Sequence, residues 1–130
     1  MGSEIQDLWP EDIGTDVNVI SPVSILREQA TFLGQRTKNL IEGKVVSSQT
    51  STDQFAHAFF LYVPSMNHYK YLLFNVIHPI DFYPLAIVSE PLHKQLAPAK
   101  TEEEFIKLLK EIFSDPKTKA IIASLISQVK

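Results

Sequence analysis

Residues 55–88 read FAHAFFLYVPSMNHYKYLLFNVIHPIDFYPLAIV, three apolar, aromatic-rich runs separated by two turn signals. Phe55–Val63, His68–His78 and Phe82–Val88 have strand length and composition, while Pro64-Ser65-Met66-Asn67 and the stretch around Pro79 are too short for anything but tight reversals. Short reversals join antiparallel neighbours, so these runs predict a meander. Pro84 has no backbone donor, which puts the last run at an edge or a bulge. Lys44–Thr50 is β-compatible but polar after Val46, and Ser47 to Asp53 reads as a turn-like stretch; the sheet is therefore expected to have three or four strands.

Side chains alternate between the two sides of a sheet, so the turn positions decide which residues share a side. A first turn centred between Ser65 and Met66 pairs Leu61 with Lys70 and Phe59 with Leu72. A second centred between Pro79 and Ile80 pairs Phe74 with Leu85. One side then carries Phe55, His57, Phe59, Leu61, Val63, Leu72, Phe74, Val76, Tyr83, Leu85 and Ile87, the expected core. The other carries Phe60, Tyr62, Tyr69, Tyr71, Leu73, Asn75, Ile77, Phe82 and Val88, and it is not polar either. Leaving Phe, Leu, Ile or Val in water forgoes roughly 1.5–3 kcal/mol of burial each. Three arrangements would cover that second side: a helix or the N-terminal arm crossing to it, a second copy stacked sheet to sheet, or another protein or small apolar ligand.

Upstream, Ser21-Pro22 is a helix start, an N-cap followed by proline at the first position. Leu26, Ala30, Leu33, Thr37, Leu40 and Ile41 form one stripe at helical spacing, and Gly43 is the expected stop. This predicts one long helix, with Gly34 as a point of close approach to the sheet. Downstream, Thr101 and Glu104 form a capping box ahead of Phe105, Leu108, Leu109, Ile112 and Phe113. Ser114-Asp115-Pro116 breaks that helix and starts another with Ile121, Ile122, Leu125, Ile126 and Val129 inward. The reading is an α+β fold: a long N-terminal helix, an antiparallel meander of three or four strands, and two short C-terminal helices packed on one sheet face.

Residues 1–20 form a separate arm, followed by a single domain over 21–130. The first 16 residues hold Glu4, Asp7, Glu11, Asp12 and Asp16 and no base, leaving ten acids against twelve bases in the rest of the 130-residue chain. Ile5, Leu8, Trp9 and Ile13 sit among those acids. Either Trp9 fills a groove on the body, or the arm is a docking peptide for another protein. A nearly neutral body behind an acidic arm gives no electrostatic reason to bind nucleic acid, and the single Lys70 between Tyr69 and Tyr71 makes an RNA-stacking sheet the weakest reading. No basic stretch precedes an apolar one at the start, and no apolar run approaches a membrane span. Zero cysteines exclude disulfides and thiolate chemistry. A cytoplasmic location is expected.

Chemistry leaves few marks. There is no HExxH, GxSxG or glycine-rich phosphate loop, and no pair among His57, His68, His78 and His93 has metal-ligand spacing. In the register above, His57 and His78 share a face but lie too far apart for a joint site. Asp81, near His78, reads as a residue that shapes its turn. Neither a metal nor a cofactor is expected. The expected function is a non-catalytic protein-interaction module, of an accessory, chaperone-like or inhibitor kind, which uses the second face and its candidate contacts Phe60, Tyr62, Tyr69, Tyr71, Leu73, Phe82 and Trp9, with homodimerisation as one use of that face. The alternative is a small apolar-ligand-binding domain or enzyme whose pocket between helices and sheet takes its polarity from His57, Tyr83 or Asn75.

Overall fold

The computed structural model describes residues 4–15, 19–51 and 53–130; the remainder of the arm and Thr52 of the polar loop lie outside these. The elements run α1 (Pro22–Arg36), β1 (Glu42–Ser51), β2 (Gln54–Val63), β3 (Tyr69–Pro79), β4 (Ala86–Ser89), β5 (Lys94–Gln95), α2 (Glu102–Ser114) and α3 (Pro116–Val129). Neighbouring strands pair antiparallel in the order β1-β2-β3-β4-β5, an α+β meander of five strands. The sheet exceeds the expected three or four strands because the polar run through Ser51 pairs along β2, and because Lys94–Gln95 adds a short outer edge.

Each helix begins where a side chain takes up an orphan N–H. Ser21 accepts from Ser24 N at 3.2 Å, Thr101 from Glu104 N at 3.1 Å and Asp115 from Lys117 N at 2.8 Å. Helix α1 ends earlier than the stripe implied. Lys38 and Asn39 adopt left-handed backbone, and Asn39 N donates to Gly34 O at 2.8 Å, closing the helix at Arg36. Thr37 then turns the chain, accepting from Ile41 N at 3.1 Å and donating to Leu33 O at 3.0 Å. Gly43, expected as a helix stop, is a strand residue instead. A Cβ there would stand 2.6 Å from Ala30 Cα, so it is Gly43, not Gly34, that lets helix and sheet meet closely.

All three helices lie on one side of the sheet. Leu26 of α1, Phe105, Leu109 and Ile112 of α2, and Leu125 of α3 share a buried core with Phe59, Leu61, Val63, Leu73, Phe74, Val76, Leu85 and Ile87. The rings of Phe59 and Phe74 stack at 5.1 Å, and Phe113 tilts against both.

Register departs from the simplest hairpin in two steps. The first turn takes one residue more than assumed, so Val63 pairs with Tyr69 and Leu61 with Tyr71. Between Phe59 and Phe60 the partner jumps from Phe74 to Leu72, leaving Leu73 as the extra residue of a β-bulge. One slip reverses sidedness; the second restores it.

Candidate functional site

The slip redistributes the second face. Tyr69 and Tyr71 turn to the helix side, where with Met66 they line a shallow cleft against Ala120, Ile121, Ser124, Leu125 and Gln128 of α3. Leu73 is buried in the core. Phe82 sets its ring edge-on to His78 at 5.7 Å and leaves the second face as well. Four of the seven expected contact residues are thus displaced, and Leu72, assigned to the core in the sequence reading, takes a place beside Phe60.

What remains is still apolar. Ala56, Ala58, Phe60 and Tyr62 of β2 lie between Glu42, Lys44, Val46 and Ser48 of β1 and Lys70, Leu72, Asn75 and Ile77 of β3, with Ala86 and Val88 beyond. Phe60, Tyr62, Leu72, Ile77 and Val88 are half-buried by their neighbours alone, and Val46 is 50% exposed. No described helix packs here. The arm does not either: Leu8 is 86% and Trp9 72% exposed, so Trp9 fills no groove on this chain. Lys44 Nζ sits 3.8 Å from the centre of the Tyr62 ring, and Lys70 Nζ 5.1 Å from that of Phe60. Tyr62 also hydrogen-bonds His68 through its hydroxyl. The face is a greasy stripe edged by two lysines and one glutamate, Glu42.

On the helix side, the same register brings together two histidines that the sequence reading kept apart. His57 pairs with Val76 and Phe55 with His78, so His57 and His78 are diagonal neighbours. Their rings stack at 4.9 Å and their Nε2 atoms are 2.9 Å apart. The pair is 6% and 5% exposed. Ser47 Oγ lies 2.7 Å from His57 Nδ1, and Pro79 O lies 2.6 Å from His78 Nδ1. A carbonyl can only accept, so His78 carries its proton on Nδ1 and offers a lone pair at Nε2. His57 must then donate from Nε2, its Nδ1 is bare, and Ser47 donates to it. For two neutral rings this is the one consistent assignment. Burial first, then the neighbouring His78 and the Arg27 guanidinium of α1, hold the His57 pKa below its ordinary value. Sequence spacing gave no sign of this row, because its members come from three strands.

The other expected pocket residues are scattered. Asn75 pairs with Ala58 and Val88 on the second face, away from His57. Tyr83 is half-buried, its buried hydroxyl has no partner among the described residues, and burial followed by Glu102 pushes its pKa up to about 12. An apolar cavity of about 240 Å³ does lie between helices and sheet, lined by Phe32, Leu33, Phe59, Leu61, Leu73 and Phe113 with Arg36 among its walls, but its lining does not include His57. Asp81 is exposed, and its carbonyl accepts from Tyr83 N at 3.0 Å within the turn. Among the described residues no three His, Cys, Asp or Glu side chains gather as a metal site, and no helix is long and apolar enough to cross a membrane.

The chain matches no family model, no curated protein and no solved structure.

Proposed function

We propose that this protein is an interaction module that docks through its second sheet face, and that its first partner is a second copy of itself. The observation behind this is the row Val46, Phe60, Leu72, Ile77 and Val88, apolar side chains on a five-stranded sheet with no described element over them. Contiguous apolar surface of this kind marks interfaces. The charges suit a two-fold partner: Glu42 and Lys44 are adjacent on the strand next to the stripe and Lys70 lies on its other side, so an antiparallel copy can set its acid against the other's bases. The cations over Tyr62 and Phe60 can stay in place at such an interface, because a lysine head at the rim keeps its contact with water. The exposed arm, acidic and carrying Leu8 and Trp9, is a second contact element on the same chain.

Light scattering of the purified chain at high micromolar concentration tests the reading. A dimer is expected, and Phe60→Asp combined with Leu72→Asp should return it to a monomer with an unchanged circular dichroism spectrum. Tyr71→Asp, on the helix side, should leave the dimer standing if the variant folds. A wild-type chain that stays monomeric, or a double variant that stays dimeric, overturns the proposal.

A further inference from the structure

The row of hydrogen bonds from Ser47 to Pro79 goes beyond the docking reading and does not rest on it, since it lies on the opposite side of the sheet. Its polarity is fixed from one end. Pro79 O fixes the tautomer of His78, His78 fixes that of His57, and the bare Nδ1 of His57 faces the Ser47 hydroxyl at 2.7 Å. Nucleophile, base and orienting group stand in hydrogen-bond order, the geometry by which a serine is activated. Burial suits the two roles: both histidines are enclosed, while Ser47 is exposed. Phe55 and Phe82 flank the His78 ring at 5.7 Å, keeping it in one orientation. Ser47 also sits on β1, the edge strand of the sheet, whose outer rim presents backbone N–H groups with no strand beyond them among the described residues.

We propose that Ser47 is a nucleophile, with His57 as its base and His78 as the positioning residue, and that it takes an acyl group from a small activated ester presented at the open rim of β1. Ser47 Oγ bonds to the ester carbonyl carbon as its proton passes to His57 Nδ1. The bond to the leaving oxygen breaks, and His57 returns that proton to the alkoxide, which departs as an alcohol. Water then attacks the acyl-serine, giving a proton to His57 Nδ1; Ser47 Oγ recovers it as the carboxylic acid leaves. Ester and water are consumed, acid and alcohol formed. Throughout, the His57 Nε2–H stays donated to His78, which holds the ring in the tautomer and orientation that present Nδ1 to the serine. Burial, the neighbouring His78 and Arg27 together keep the resting ring neutral and able to accept.

The test is labelling of the full chain with a fluorophosphonate, an electrophile that phosphonylates activated serines, with the site read by mass spectrometry. Wild type should be labelled at Ser47, Ser47→Ala should lose the label, and Ser48→Ala, on the other face, should keep it. His57→Gln should slow labelling about 100-fold or more, the usual contribution of a positioned base. His78→Gln retains an acceptor for the His57 N–H and should keep most of the rate. His78→Phe should lose at least about tenfold and move the pH midpoint of labelling, which a merely structural residue would not do. Labelling of Ser47 no faster than that of Ser48, or a rate indifferent to His57→Gln, overturns the proposal. Nitrogen-15 imidazole spectra of the wild type give a second reading independent of variant folding: a His57 protonated on Nδ1 at neutral pH, with Nε2 bare, overturns it too.

Discussion

The paired histidines make stability depend on pH, with a sign the structure dictates. His57 is 6% exposed and held neutral, with Ser47 of β1, His78 of β3 and Arg27 of α1 as the polar groups acting on it. Its folded pKa lies below the ordinary imidazole value of 6.5 that it regains on unfolding. Below 6.5 the unfolded chain therefore binds a proton that the folded chain resists. The stabilisation that comes with the neutral ring is complete above 6.5 and is lost as pH falls from there through the folded value. One proton sets the slope at no more than about 1.4 kcal/mol per pH unit, a sizeable share of the 5–15 kcal/mol that holds typical domains together. Many carboxylates titrate lower down, so the signal must be isolated by difference. His57→Gln keeps a neutral amide donor within reach of His78 and removes the titrating ring. Urea unfolding of both proteins at pH 7.5 and two units lower should show the wild type losing stability relative to the variant, by up to about 1.4 kcal/mol over that interval. Parallel profiles would refute the reasoning, because they would mean that the ring charges as easily in the folded protein as in water.

Two further outcomes follow from packing. Gly43→Ala forces a methyl against the Ala30 backbone at 2.6 Å, and because backbone yields less than a side-chain tip, denaturant titration should record a loss of about 1–3 kcal/mol. Tyr83→Phe removes a buried hydroxyl that has no hydrogen-bond partner among the described residues, so the variant should melt at the same temperature as wild type or higher, by up to about 1 kcal/mol of stability; a clear destabilisation would reveal a partner for that hydroxyl.

Much of the architecture could be read from residue order. Ser21-Pro22, Thr101 and Asp115-Pro116 announce their helices because capping chemistry is local. The meander, its aromatic runs and the presence of an apolar second face were equally open to view. Sidedness along β3 was not. Tyr71-Leu72-Leu73-Phe74 is apolar throughout, so alternation gives no parity signal where the bulge falls, and the left-handed Asn67 and His68 that lengthen the preceding turn are not glycines. Two slips of one residue each sent the tyrosines to α3 and Leu72 to the opposite side, while leaving Phe59, Phe74 and Val76 where composition put them. The early end of α1 escaped for a similar reason, since Lys38 and Asn39 take a conformation more often given to glycine. The histidine row was invisible because the two slips together shift β3 by two residues, which keeps His78 on the expected face and moves it next to His57.

That shift has a consequence for how the sheet divides its work. With Leu73 as an extra residue, β3 carries Tyr69 and Tyr71 toward α3 in one half, and Val76 toward the core and His78 toward His57 in the other. The second face keeps Phe60, Leu72 and Ile77 in one unbroken stripe across the bulge. A sheet without the bulge would have to place either the tyrosines or the histidines on the stripe side, setting polar groups into the proposed docking surface or withdrawing His78 from its partner. Deleting a single residue would therefore disturb docking and the Ser47 row together, whereas Leu72→Asp and Ser47→Ala, on opposite sides of intact strands, should each disturb one and spare the other.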